Sequence, residues 1–378
     1  MNRYVLLPFA SLACGLALLT GPAHAQVDPK HCSFTAEFAE EACLRDVKAD
    51  YWNELAVCKN IAHRRDRIEC REDAEAERIE GIRSGDESCR KQREARAEVC
   101  DLLGQDRYDP DWDPENFVDP DDIGDTVAAN PWLSLVPGFT QVITAGEDGE
   151  EWVLQYVTED TEEIDGVICR TVVDLEFAPD EPDDEEEEDG SGRLERSHDI
   201  VIDNVELEIA EYTDDWYAQD IAGNVWYCGE LSREYEDGDI ADLDGSFRQG
   251  EDGDKAGLLM PAVPMVGDAF RQEWSVNNAE DYAVVVSTAG GPDEEVEGFE
   301  CNDSCLVTHE RTPLEPDGEE LKYWLMDTGF VLAAEPDEDG EREELICQGD
   351  ALEDCVTDPD ILDELCEIAP DAFCDDED

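Results

Sequence analysis

Positive charge is what this sequence lacks most. Lys and Arg total 26 against 103 Asp and Glu, a formal net charge of -77 over 378 residues. Phosphate contacts need cationic side chains, so nucleic acid is effectively excluded as a direct partner. Anionic membrane surfaces are disfavoured on the same ground. Histidine is nearly as scarce. Beyond residue 25 only His31, His63, His198 and His309 remain, and none forms His-x-His or His-Glu-x-x-His, the spacing of zinc hydrolases. The chain has no Gly-x-Ser-x-Gly elbow, no Gly-rich loop running into Lys and Ser or Thr, and no Cys-x-x-Cys motif. The usual hydrolase, nucleotide and redox signatures are therefore missing, and the residues point away from an enzyme. After the N-terminus no apolar run is long enough to span a bilayer.

The N-terminus itself reads as an export signal, residues 1–25. Arg3 is its basic end, Tyr4 to Leu19 its apolar stretch, and Ala23-His24-Ala25 a small-x-small cleavage site, so the signal is expected to be cleaved after Ala25. Pro8 and Gly15 interrupt the stretch, which is too short for a comfortable membrane span. A competing cut before Cys14 loosely resembles a lipoprotein site, although Ser11 stands where such a site prefers Leu. The expected destination is the periplasm or the extracellular space. Cysteine usage agrees: removing Cys14 from the 15 Cys leaves an even 14, as suits an oxidising compartment. Thiolate zinc is the competing use, but it wants two close pairs, and Cys301 with Cys305 is the one close pair.

The charge divides the chain. Residues 26–100 hold 18 acids and 14 bases, while residues 101–378 hold 85 and 11. Surfaces that differ so much imply separate domains, and the fold class expected is α+β. Residues 26–104 should form a Cys-rich antiparallel helical hairpin. No proline falls between Pro29 and Pro110, Ala, Glu, Arg and Leu favour helix, and Glu41 with Arg45 and Glu87 with Lys91 make i, i+4 pairs. Cys32 and Cys43 are 11 positions apart, as are Cys89 and Cys100, so each pair lies on one helix face. A turn near His63 to Asp66 would bring Cys58 to Cys70, Cys43 to Cys89 and Cys32 to Cys100. Gly81 and Gly85 should break the second arm and absorb its longer Cys spacing.

Residues 105–130 form an acidic Asp/Pro linker, expected to be extended and rich in turns. Residues 131–335 read as a mainly antiparallel β domain. Cys169, Thr171, Val173, Leu175 and Phe177 alternate with mostly polar neighbours, as do Val205, Leu207 and Ile209. Asp220 to Asn224 should turn a hairpin between Trp216–Ala218 and Val225–Cys228. Further strands are expected near Trp152–Val157, Tyr282–Ser287, Leu306–Thr308, Leu321–Leu325 and Phe330–Ala333. Residues 179–192, with the acidic run Asp183 to Asp189, should be a solvated insertion. Residues 336–378 read as an acidic tail with one short helix over Asp360 to Ile368. Its Cys347, Cys355, Cys366 and Cys374 should form two bridges of open connectivity. Cys169 is expected to pair with Cys228, and Cys301 with Cys305 to close a tight loop.

Several stretches resemble a family of secreted bacterial β-rich proteins. They are Asn130-Pro131-Trp132-Leu133-Ser134-Leu135-Val136-Pro137-Gly138, Ile164-Asp165-Gly166-Val167, Asp215-Trp216-Tyr217-Ala218-Gln219-Asp220, Gly223-Asn224-Val225-Trp226-Tyr227 and Gly229-Glu230. Glu234 to Gly238, Gly257 to Ala262 and Thr312-Pro313-Leu314-Glu315-Pro316 continue the set. The resemblance covers roughly half the chain. It implies a secreted β-rich domain and brings no activity with it. The acidic insertion and the Cys-rich tail depart from its pattern.

Among candidate sites, hard cations come first. Calcium takes carboxylate and carbonyl oxygens. Asp109, Asp111, Asp113 and Glu115 place acids at every second residue, and Asp237, Asp239, Asp242 and Asp244 form a second group. Both depart from the EF-hand pattern, and acidic turns and a linker account for them more simply. Trp216 and Trp226, with Tyr217 and Tyr227, offer a possible ligand groove, although packing of a hairpin onto the core explains aromatics in strands as well. His309 reads as a surface residue beside a structural disulfide. The expected function is therefore an exported, non-enzymatic binding or structural protein, holding Ca2+ or another hard cation weakly, at about 0.1–1 mM, or meeting a basic protein. One alternative is a β-groove carrier or enzyme acting on carbohydrate or lipid. The other is that the acidic surface is only an adaptation to salt.

Overall fold

The structure is a computed structural model that describes residues 30–146, 151–179, 200–202, 205–236, 238–336 and 342–374. The expected signal, the acidic run Asp183 to Asp189, His198 and Asp237 lie outside the described residues. The class is α+β: two N-terminal helices, then a large antiparallel sheet. No helix among the described residues is long and apolar enough to cross a membrane.

The helices are α1 (His31–Asn60) and α2 (Arg64–Leu103). Arg67 Nη1 donates to the Ile61 carbonyl at 2.6 Å across their turn. Three disulfides tie the arms together: Cys58–Cys70 near the turn, Cys43–Cys89 in the middle and Cys32–Cys100 at the open end. This is the nested ladder that the spacing predicts. The break expected at Gly81 and Gly85 does not occur, because α2 runs through both. Its many strong helix formers outweigh a cost of about 1 kcal/mol per glycine. Ala36, Ala39 and Ala74 are buried between the arms, while Phe38, Trp52 and Ile79 are exposed. With so thin a core, the bridges restrict the unfolded chain in place of buried apolar area.

The strands are β1 (Thr140–Ala145), β2 (Glu151–Ile164), β3 (Val167–Pro179), β4 (Ile200–Ile202), β5 (Val205–Gln219) and β6 (Val225–Glu236). They continue with β7 (Asp239–Asp242), β8 (Phe247–Arg248), β9 (Lys255–Met260), β10 (Ala269–Arg271), β11 (Glu273–Trp274) and β12 (Tyr282–Gly290). The last are β13 (Cys305–Arg311), β14 (Glu320–Leu325), β15 (Gly329–Ala334) and β16 (Arg342–Gly349). The main path runs β10-β12-β13-β14-β15-β16-β1-β2-β3-β5-β6-β9-β11. Its two edges, β10 and β11, belong to one stretch of chain with Gln272 alone between them. Pairing with β12 on one side and β9 on the other, that stretch brings the sheet round into a nearly closed barrel. Bulges at Val142/Ile143 and Trp216/Tyr217 help the strands to curve. At the seam, a Cβ on Gly257 would lie 2.0 Å from the Gln272 carbonyl oxygen, so only glycine allows this approach.

β16 lies within residues expected to be tail, yet it sits inside the sheet between β15 and β1. Its charged run, Arg342-Glu343-Glu344, hides a barrel strand. Beyond it α3 (Leu352–Cys355), α4 (Pro359–Ile368) and α5 (Pro370–Phe373) follow. Leu352 and Leu365 pack on Val142, Leu154, Val173, Leu175, Phe177 and Ile209. The spacing of Ile361, Leu365 and Ile368 gives α4 the apolar stripe that this outer barrel face needs. Cys347–Cys355 and Cys366–Cys374 close the cover, Cys169–Cys228 links β3 to β6, and Cys301–Cys305 closes a small loop.

The linker is a strap on the barrel. Asp113 and Asp119 each accept from a backbone N–H two residues on, capping short 3-10 turns that begin with Pro114 and Pro120. Asp121 pairs with buried Arg170 at 2.9 Å. The hairpin docks through Arg96, whose guanidinium meets Glu280 in a buried fork at 2.7–3.0 Å.

Candidate functional site: the barrel lumen

Alternation along each strand gives the barrel an inside and an outside, and the inside is divided along its length. One end is apolar: Trp132, Leu135, Ile143, Val157, Val172, Trp324 and Phe330 pack together there. The other end is acidic. Between them lies a cavity of about 270 Å³ whose walls include Asp174, Glu176, Glu310 and Glu343, with Lys322 as the cationic side chain and Tyr217, Leu259, Trp324 and Phe330 as apolar surface.

Each polar residue arrives by strand register. Asp174 and Glu176 on β3 are two apart and so share a face. Gln155 on β2 pairs opposite Asp174 and donates to its Oδ2 at 2.8 Å. The other oxygen, Asp174 Oδ1, is buried and has no hydrogen-bond partner. Burial first, then the charge of Asp215, pushes the Asp174 carboxyl up to about 8. Burial and the neighbouring Asp174 do the same to Glu176, also to about 8, although Glu176 still reaches water. Such displaced carboxyls mark sites where charge is handled.

Thr308 opposes Lys322 across β13 and β14. Glu310 accepts from Thr308 Oγ1 at 2.8 Å and from Gln272 Nε2 at 3.1 Å. Lys322 Nζ lies 3.4 Å from Glu310 and 3.6 Å from Glu320. Burial works to lower the Lys322 pKa, but Glu310, Glu320 and Glu343 outweigh it and raise it. The lysine stays charged and neutralises a fraction of its surroundings.

A proton-sharing group sits beside the cavity on β5 and β6. The Tyr227 hydroxyl lies within hydrogen-bond reach of Asp215 Oδ1, and 2.7 Å from Glu230 Oε2. A phenol has one proton to donate and a carboxylate can only accept. Both contacts are satisfied together only when one of the two carboxyls is itself protonated. The energetics agree: burial and Glu230 raise Asp215 well above its ordinary value, and burial raises Glu230 to about 7. Burial and the crowding of carboxyls therefore favour protonated acids at this end of the lumen.

The residues singled out from sequence fall elsewhere. Asp109 pairs with Lys255 at 3.1 Å on the strap, and Asp113 is occupied as a cap. Asp111 and Glu115 stay on the same exposed strap. Asp239 and Asp242 lie on exposed β7, where Asp242 accepts from the Asp244 N–H at 3.0 Å. Among the described residues no three His, Cys, Asp or Glu side chains are grouped to hold a metal ion. Trp216 and Trp226 lie on the barrel's outer side. Trp226 packs against Trp112 and Phe117 of the strap and donates to Asp220 Oδ2 at 3.0 Å, and Arg248 lies over the Trp216 ring at 5.0 Å. Their neighbour Tyr217 is the one that faces the lumen. His309 joins Glu319 and Arg311 in a surface cluster.

No family model, curated protein or solved structure matches the chain. The lumen is thus read on its own geometry. Sequence reasoning missed Asp174, Glu176, Asp215, Glu230, Glu310, Lys322 and Glu343. The usable signal was a regular placing of acids at alternate positions in apolar strands, as in Val172-Val173-Asp174-Leu175-Glu176-Phe177.

Proposed function

We propose that this is an exported binding protein whose barrel lumen takes a small organic cation, an ammonium or guanidinium group on an apolar body. The observation that carries this reading is Asp174: a buried carboxyl on the cavity wall with one oxygen fixed by Gln155 and the other without a partner. An ammonium or guanidinium would supply the missing donor, and its charge would draw the proton from the wall carboxyls. Tyr217, Trp324 and Phe330 supply apolar and aromatic surface for the ligand body, in keeping with cation–π attraction. The volume of about 270 Å³ is at the small end for ligand cavities. Export rests on the reading of residues 1–25 and on seven disulfides, which belong in an oxidising compartment. Periplasm or extracellular space is the expected location.

Calorimetric titration of the oxidised chain with tyramine and spermidine, and in parallel with calcium, tests this. Tyramine should bind one-to-one, and Asp174→Asn should weaken it at least tenfold without lowering the melting temperature. Uptake of calcium without either amine would replace the organic cation by a hard one, and would direct attention to Asp109–Glu115 and Asp239–Asp244. No uptake of any probe, with equal stabilisation by sodium chloride, would leave the acidity as a salt adaptation.

A further inference from the structure

A larger cavity, about 790 Å³, opens where the hairpin meets the barrel seam, and its character is opposite to that of the lumen. Arg271 on β10 lies in its wall and is 8% exposed. It stacks 5.7 Å from the Tyr108 ring. Among the described residues its guanidinium has one hydrogen-bonding contact, a weak one from Nη2 to the Cys32 sulfur at 3.9 Å. No carboxylate lies within ion-pair distance of it among the described residues. Arg96 lines the same cavity, and Glu280 is already committed to it in a fork. Arg96 Nη1 is nevertheless buried without a partner. Two buried guanidiniums thus share one carboxylate, and a guanidinium left uncompensated in such a place is costly unless an anion joins it. The remaining wall is apolar: Phe34 on α1 is half exposed, and Trp274 stands beside Tyr108 with ring centroids 6.3 Å apart.

We propose that this cavity is a second ligand site, independent of the lumen, for an organic monocarboxylate with an apolar or aromatic body, its carboxylate forked on Arg271 and its body lying among Phe34, Tyr108 and Trp274. Arg favours carboxylate through two parallel hydrogen bonds. A monoanion suits the site better than a phosphate dianion, since every added negative charge must approach a chain of net charge -77.

The oxidised full chain is titrated calorimetrically with 4-phenylbutyrate and with its neutral counterpart 4-phenylbutanol. The carboxylate should bind one-to-one and at least tenfold more tightly than the alcohol, a comparison that needs no variant. Arg271→Gln should abolish that preference, Arg271→Lys should keep part of it, and Asp174→Asn in the lumen should leave it intact. Equal binding of acid and alcohol would reduce the cavity to an apolar hollow and overturn the proposal. Absence of carboxylate binding up to about 5 mM, or binding unchanged in Arg271→Gln, would overturn it as well.

Discussion

The ion pair that docks the hairpin to the barrel gives a prediction whose size follows from the geometry. Arg96 and Glu280 side chains are 5% and 4% exposed. Arg96 Nε and Nη2 donate to both Glu280 oxygens at 2.7–3.0 Å. Nη2 also donates to Asn277 Oδ1 at 2.9 Å, and the Asn277 N–H to Glu280 at 2.7 Å. Glu280→Gln keeps the shape and removes the charge. It leaves Arg96 buried without a counter-charge, and it removes the acid that supports the charged form of the desolvated Arg271. Breaking one side of a buried pair costs about 3–5 kcal/mol, and two cations deprived of one acid place this case near the upper end. Urea unfolding of the oxidised proteins, followed by circular dichroism, measures it. The double variant Arg96→Met/Glu280→Met should recover the share of the loss that comes from Arg96, because an apolar replacement needs no counter-charge, while the share from Arg271 remains. A loss below about 1 kcal/mol for Glu280→Gln, or a double variant as unstable as the single one, would refute the reasoning.

Other expectations follow from the barrel. Gly257→Ala should open the seam and sharply lower the melting temperature, since its Cβ would meet backbone rather than a movable side chain; an unchanged melting temperature would show that the seam is not closed as described. Stability should fall as pH rises from about 4 to about 8. In that window folded Asp174 and Glu176, raised from 3.8 and 4.5 to about 8, keep protons that the unfolded chain releases. Asp174 contributes up to ~1.4 kcal/mol per pH unit, and Glu176, which reaches solvent, contributes less because water screens it. Melting scans at pH 5, 6, 7 and 8 in constant salt check this, and a maximum near pH 8 would contradict it. Asp174→Asn should flatten the same profile, because it removes one of the titrating groups while keeping the hydrogen bond with Gln155.

Much of the fold was legible because it depended on local geometry. The Cys spacing of the hairpin placed its three bridges, and the period-two pattern located the central parts of β2, β3, β12, β13, β14 and β15. The barrel was not legible, for a physical reason. Alternation tells that a strand has two unlike faces but not which one is inside. In an ordinary half-buried sheet the polar face meets solvent. In β3 the apolar face, Val173, Leu175 and Phe177, looks outward and is covered by α3 to α5, while Asp174 and Glu176 face the lumen. Acids that resemble a solvated surface are the candidate site. The same ambiguity grouped Trp216 and Tyr217 as candidates for one groove, although they are adjacent in the strand and Tyr217 is the one that lines the cavity. β16 was obscured because its inward Glu343 and flanking charges match the composition of an acidic tail. Closure through Gln272 depends on pairing between distant segments, which no local pattern reports.

The most direct test of the acidic lumen is the proton balance of amine binding. Calorimetric titration with tyramine at pH 7, repeated in buffers of different ionisation enthalpy, counts the protons released per ligand. Wall carboxyls with pKa about 8 are largely protonated at that pH, so a bound cation should expel about one proton, with affinity rising toward pH 8. Release should be reduced rather than lost in Asp174→Asn, because Glu176 keeps its own proton. Binding to the unaltered chain with no proton release, equally tight from pH 6 to pH 8, would contradict the account.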